Sequence, residues 1–235
     1  MISVIDARDA VLNRVQLLNT ERVDIFAALD RVLSEEVFAT RNQPPWDNSA
    51  MDGYAVRAED TVFATESTPI VLEIIEHLPA GYRAKNEVGV GEAIHIMTGA
   101  PVPEGADTII RAEDTERIGD SHIRIRALVP SAKDLRRAGE DLSIGDLMLP
   151  AGKCIRPAEI GLLASTNRTH VTVYRRPRVA ILSTGDEIVD VDEDISDGKI
   201  VDSNSYSLTA LVLEAGAIPI RLGISRDTKE DLEEK

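Results

Sequence analysis

Five consecutive residues, Ser183-Thr184-Gly185-Asp186-Glu187, combine two hydroxyls, a glycine and two carboxylates. Hydroxyls beside a glycine suit an oxyanion, and paired carboxylates suit Mg²⁺, a hard cation that takes oxygen ligands. The apolar run VAILST at 179–184 leads directly into this segment and reads as a strand buried on both faces. The segment therefore lies at the carboxyl end of a parallel sheet, where open α/β sheets bind their ligands. Asp227, after the next strand, should project from the same edge. Taken alone, Asp186–Asp197, with seven acids and no base, is a solvated acidic loop. Its position at the strand end favours a site.

Three further segments concentrate functional groups. Asp47-Asn48-Ser49-Ala50-Met51-Asp52-Gly53-Tyr54-Ala55-Val56 follows Pro44-Pro45-Trp46. It is either an Asx-rich turn leading into a strand, which composition alone favours, or a rigid loop presenting Asp47, Asn48 or Asp52 to a ligand. In the segment 96–107, Gly99 lets a backbone approach closely and Thr98 offers a hydroxyl just before it; a plain connector between strands is the alternative. Arg136-Arg137-Ala138-Gly139-Glu140-Asp141 is a surface ion-pair loop, or arginines for an anion beside a carboxylate for a metal.

Other chemistries are excluded. His77, His95, His122 and His170 show no ligand spacing, and Cys154 is the only cysteine. An intrachain disulfide is therefore ruled out, a structural zinc site is not expected, and a reducing cytosol is. Walker A, Gly-x-Gly-x-x-Gly and Gly-x-Ser-x-Gly motifs are absent. With 26 Lys+Arg against 41 Asp+Glu, the net charge of −15 repels nucleic acid and anionic lipid, although a local basic or amide-lined pocket can still hold a small anion. Aromatic residues, at 3%, are too few for base-stacking platforms. No apolar run is long enough for a membrane span, and the acidic N-terminus lacks a signal-peptide pattern.

The elements that must position these groups follow from periodicity. Residues 3–19 read as an amphipathic helix, and about 22–37 as a second one with Val23, Phe26, Leu29, Leu33 and Val37 inward. From 45 to 140 the short β-branched runs at 70–76, 93–97, 107–113 and 122–128, separated by Gly/Pro turns, predict a small barrel or sandwich. A helix opens at Pro157 and runs to about Thr166. Beyond Arg178 the order is strand 179–184, helix 203–216, strand 218–224 and a helix that Asp227 could cap, which is a βαβ unit of a parallel sheet.

Together the motifs DNSAMDGYAV (47–56), IMTGAPVPEGAD (96–107), RRAGEDL (136–142), PRVAILSTGDEIV (177–189) and DSNSY (202–206) closely resemble the molybdopterin molybdenumtransferase family and the related E-type domain of gephyrin. The resemblance spans essentially the whole chain. It implies a multidomain fold, mixed α/β and β: an N-terminal helix (1–20) packing on the α/β domain, a linking domain (21–44 plus 140–172), an inserted β-rich lobe (45–139), and the first half of a parallel-sheet molybdopterin-binding domain (173–235). It further implies an elongated cytoplasmic homodimer that inserts molybdate into adenylylated molybdopterin with Mg²⁺ and releases AMP, the adenylyltransferase that supplies this substrate being a candidate partner.

Carried over position by position, the resemblance implies functional roles for Asp52, Thr98, Asp141, Glu187 and Asp227. Ser183, Thr184, Gly185 and Asn204 are expected in cofactor binding, and Asp186 with Glu187 in metal or phosphate organisation. The family pattern continues with a Gly-Gly-x-Ser-x-Gly-type loop, Pro-Gly-Lys-Pro and Pro-Gly-Asn-Pro segments and a small β domain, none of which occurs in these 235 residues. The expectation is therefore a fragment without full activity. The alternative function is a catalytically incomplete dimerisation or scaffold module of the gephyrin E type.

Overall fold

The computed structural model describes residues 2–195 and 198–235, so Asp197 of the acidic run lies outside the described residues. The chain forms two compact units, one of Phe38–Met148 and one of the residues up to Val37 together with Leu149–Lys235.

In the unit Phe38–Met148, every predicted β run becomes a strand of one six-stranded sheet. Its spatial order is Thr108–Arg111, Gly53–Val56, Glu92–Ile96, Ile70–Leu78, His122–Ile125 and Thr115–Ile118. All neighbours are antiparallel except Ile70–Leu78 and Glu92–Ile96, which run parallel. Alternation places Tyr54, Val56, Leu72, Ile110 and Ile123 in one apolar cluster, and Ala55, Leu78, Ile94, Ile96 and Ile109 in another on the opposite face. Loop residues Ala64 and Val129 complete the first cluster, and Val88 and Ala100 the second. Both faces are thus covered, the second also by Leu135 of a short two-stranded ladder, and the six strands form one sheet with two edge strands, Thr108–Arg111 and Thr115–Ile118, in place of the expected barrel or sandwich. Strand Gly53–Val56 is buried at all four positions. Gly53 is required there by close approach, since a Cβ would lie 2.0 Å from the Ile110 carbonyl oxygen.

The other unit corrects both N-terminal helix expectations. The first helix is Val4–Leu12, capped by Ser3 and buried at none of its positions, and it ends at Asn13 instead of Asn19. No helix spans 22–37. Thr20–Asp24 instead pairs antiparallel with His170–Tyr174, Ile25–Ala28 forms a single 3-10 turn, and Asp30 has φ +60°. That left-handed residue is incompatible with a continuous right-handed helix. Phe26, expected inward, is 85% exposed. Partners more than a hundred residues away override the local periodicity here: Arg31 is buried, ion-pairs with Glu21 and donates to the Tyr174 carbonyl at 2.8 Å.

The βαβ expectation is met. Arg178–Thr184 runs parallel to Ile218–Ser225, with Ser203–Glu214 as the crossover helix and Gly216 (φ +75°) closing it. Burial of VAILST on both faces is not: within this strand only Ile181 is buried. The crossover helix packs on the pair, and a two-stranded ladder supplies no further layer. Thr228, not Asp227, caps the last helix, Lys229–Glu234, by accepting from the Asp231 amide. Among the described residues no helix is long and apolar enough to cross a membrane.

Candidate functional site

Within the β-rich unit, three of the chemically dense segments meet. Asn48-Ser49 pairs antiparallel with Leu135-Arg136, and Asn48 also bridges Pro101. The Ser49 amide donates to the Ala100 carbonyl at 3.0 Å, and the Gly99 amide to the Ser49 carbonyl at 2.9 Å. Gly99 takes φ +82° in a turn closed by the Ala100 amide on the Met97 carbonyl. That left-handed conformation, which glycine adopts without steric cost, presents Thr98 to Asp52.

The carboxylate of Asp52 then accepts from both groups of Thr98, the amide at 2.8 Å and the hydroxyl at 2.7 Å. These donors, the backbone amide foremost, hold the Asp52 carboxyl below the usual carboxylate range. Both side chains are exposed, so the pair is a preformed, ionised clip on the surface.

Asp47 anchors the arginine loop. It accepts from the Ala138 amide at 2.8 Å and the Arg137 guanidinium at 2.5 Å, which lower its carboxyl in that order. Arg136 forks between Glu140 at 2.8 Å and Asp141 at 2.5 Å. Its guanidinium and the Arg137 amide hold the Glu140 carboxyl low. Of the two readings of this loop, the ion-pair reading describes what forms here, and Asp141 carries one member of the fork. Asn48, where the three segments meet, is buried with its Oδ1 unpaired among the described residues, an acceptor open to a water or a ligand donor.

In the α/β unit the serine–threonine–glycine–acid segment leaves the carboxyl end of strand Arg178–Thr184. Gly185, at φ +146°, donates to the Ser225 carbonyl at 3.1 Å, and a Cβ there would lie 2.8 Å from Glu187 Oε2. Ser183 donates through its hydroxyl to Asp202 Oδ2 at 2.7 Å, while the Ser205 amide donates to Asp202 Oδ1 at 3.0 Å. Burial pushes the Asp202 carboxyl up, but the Ser205 and Ser183 donors outweigh it and hold the group ionised below its ordinary value.

Asp202 thereby ties the strand end to the first turn of helix Ser203–Glu214, which holds Asn204, exposed, and no acid. Thr184, Asp186, Glu187 and Asp227 are also exposed. The Asp186 carbonyl accepts from Lys199 Nζ at 2.6 Å. Among the described residues no three metal-ligating side chains converge. The adjacent carboxylates of Asp186 and Glu187 match the one or two that Mg²⁺ takes when phosphate oxygens and water complete its shell.

Sequence reasoning missed the organising residues. The sequence offers Asp47 as a residue presented to a ligand, not as the anchor of the arginine loop that it is, and it assigns Asp202 no role, although an aspartate before Ser-Asn-Ser is a helix-cap signature. The linkage of Asp190 to Tyr206 at 2.9 Å and Arg221 at 3.5 Å, with the Arg221 guanidinium 4.1 Å from the Tyr206 ring centroid, had no local signal.

Comparison with known proteins places this architecture. Residues 2–167 match the family described as MoeA N-terminal region (domain I and II), and 180–235 match a probable molybdopterin binding domain. The molybdopterin molybdenumtransferase of Nostoc sp. (strain PCC 7120) is 42% identical over 238 residues, covering 100% of this chain and 54% of that protein. Its counterpart in Bacillus subtilis (strain 168) is 37% identical over 207 residues, 87% of this chain and 48% of that one. The crystal structure of the molybdopterin biosynthesis moeA protein from Pyrococcus horikoshii OT3 has a TM-score of 0.92 at 36% identity, over 100% of this chain and 63% of that one. The chain spans about half the length of the curated relatives it matches. With two family models together accounting for 2–167 and 180–235, the chain belongs to the MoeA family of molybdenum cofactor biosynthesis proteins.

Proposed function

We propose that this chain carries part of a molybdenum-inserting transferase, in which molybdate enters the dithiolene of adenylylated molybdopterin and AMP is released. The single observation that carries this reading is the segment Ser183–Glu187 at the carboxyl end of a parallel strand, tied by Asp202 to the start of the crossover helix that it caps, in a chain of this family. Ser183 fixes Asp202, Thr184 and Gly185 line the strand end, and exposed Asn204 offers an amide at the helix start. Asp186 and Glu187 would hold Mg²⁺, which supplies charge neutralisation on phosphate oxygens when bound. Asp227, on the loop after the second parallel strand, is the third acid of this edge.

Asp52, Thr98 and Asp141 belong to the other unit. An ionised Asp52 pre-aligned by two Thr98 donors is suited to orient a proton donor as molybdate exchanges oxo groups for thiolates, its lowered carboxyl making it an acceptor of hydrogen bonds more than a base. The division into N-terminal helix, linking domain, β-rich lobe and α/β domain, the homodimer, the adenylyltransferase partner and the cytoplasmic location belong to the same proposal. The lone exposed cysteine, which fits a reducing compartment, supports the location.

The test uses the protein encoded by the natural gene, with adenylylated molybdopterin, molybdate and Mg²⁺, and follows AMP release and molybdenum incorporation. Glu187→Ala is expected to lose Mg²⁺-dependent AMP release by 10²-fold or more, of the order seen when a charge-stabilising group is removed. Turnover at the parent rate in Glu187→Ala would overturn the site assignment.

A further inference from the structure

His77 and His95 occupy directly paired positions on the one parallel strand pair of the six-stranded sheet. Their Nδ1 atoms are 2.7 Å apart and their ring centroids 4.6 Å apart. The ring of Tyr54 stacks on His95 at 5.0 Å. At that separation one Nδ1 must carry a hydrogen and the other a lone pair. Only when both rings are imidazolium, each Nδ1 protonated, would two N–H groups stand head-on.

The surroundings sharpen this constraint. Both rings border an open cleft of about 420 Å³ with Arg117, Asp120 and Glu76. Arg117, whose guanidinium donates to the Gly119 and Asp120 carbonyls at 3.2 Å, brings positive charge to the cleft. Glu76 is committed to the Lys85 and Asn86 amides and the Asn86 side chain. A divalent cation would meet Arg117, and among the described residues the two rings converge with no third ligand able to complete a metal site. A shared proton is what the pair can hold.

His95 lies three residues before Thr98, on the strand that runs into the turn presenting Thr98 to Asp52. We propose that His77 and His95 form a proton switch for the Asp52–Thr98 clip: while one Nδ1 keeps its lone pair the rings share the other's hydrogen, a first added proton going to a free Nε2, and the clip stays closed; when both rings are imidazolium the facing Nδ1–H groups drive the rings apart and draw the Asp52 carboxylate toward the His95 imidazolium. Burial first, then His77 and Arg117, hold His95 below the ordinary imidazole value, and Asp52 is the one neighbour pulling it up. The switch requires no assumption about the reaction this family member catalyses.

The test is NMR of the full chain between pH 8 and 5, following the imidazole nitrogens of His77 and His95 and the amide of Thr98. The Thr98 amide is expected to shift with the His95 midpoint. In His77→Ala and in Arg117→Gln that midpoint should move to higher pH, carrying the Thr98 step with it. Arg117 is exposed, so its variant keeps the test open should the His77 variant fold poorly. A Thr98 amide that stays silent while His95 titrates, or a Thr98 step that keeps its midpoint in either variant, would overturn the switch. Activity plays no part in the readout.

Discussion

Replacing Gly53 by alanine should be among the most damaging single-methyl changes in this protein, for a reason unrelated to glycine's flexibility. The added Cβ would sit 2.0 Å from the Ile110 carbonyl oxygen, 2.9 Å from its carbon and 3.0 Å from the Arg111 Cα. All three are backbone atoms of the neighbouring strand, so no rotamer can relieve the contact. To restore an ordinary separation the two strands must part by about 1.5 Å, in a ladder where Gly53–Val56 pairs Thr108–Arg111 on one side and Glu92–Ile96 on the other. Overpacking of this kind costs about 1–3 kcal/mol. A weakened ladder hydrogen bond adds about 1 kcal/mol. A loss of about 3 kcal/mol is roughly 150-fold in the folding equilibrium, and on the order of 10 °C or more in the melting temperature of a unit this size.

Trp46, the only tryptophan, lies in the same unit and reports its unfolding by fluorescence. The control is Gly161→Ala, the same chemical change in the exposed face of helix Pro157–Ser165, where a Cβ meets nothing within 4 Å. It should stabilise by about 1 kcal/mol through helix propensity, read by circular dichroism. If Gly53→Ala unfolds at the parent midpoint, the inter-strand approach is wrong.

Other expectations are equally direct. Thr98→Val removes the hydroxyl donor to Asp52 and keeps the backbone amide, so the Asp52 carboxyl should move up toward its ordinary value without reaching it, as NMR titration of its side-chain carbonyl would show. The Arg156 guanidinium at the start of helix Pro157–Ser165 holds the Glu159 carboxyl at about 2, against 4.5 ordinarily. That depression stabilises the fold above the ordinary value and fades as pH falls from 4.5 through about 2. Glu159→Gln should therefore lower the urea midpoint at pH 7 and flatten its decline between pH 5 and 2. An unchanged acid limb would show that the pair is energetically silent.

What the sequence disclosed depended on how far each cause reached. The β runs at 70–76, 93–97, 107–113 and 122–128 were legible because β-branched alternation and Gly/Pro punctuation are local, and each became a strand. So was the crossover unit, whose strand and helix periods differ plainly. The stretch 22–37 was misread because the decisive partner of Thr20–Asp24 is His170–Tyr174, and because Asp30 takes a left-handed conformation that periodicity does not register. At the candidate site the reactive types were visible, and the resemblance selected Asp52 and Thr98, which do meet. The residues that hold the loops in place were not visible: Asp47 grips Arg137 and Ala138 across 90 residues of sequence, a pairing only the folded sheet creates.

That distance has a kinetic consequence. The partners of the three-segment junction are far apart along the chain, with 46 residues between Asp52 and Thr98 and 91 between Asp47 and Ala138. Closing loops of that length costs entropy that no turn-local contact repays, so the junction has to wait for the sheet to close the chain for it. Mutations at Asp47 or Thr98 should then speed unfolding and leave the folding rate nearly unchanged, the signature of contacts absent from the transition state. A nascent or partly denatured chain would carry every residue of the Asp52–Thr98 clip and none of its geometry, and the ionised clip becomes a property of completed assembly.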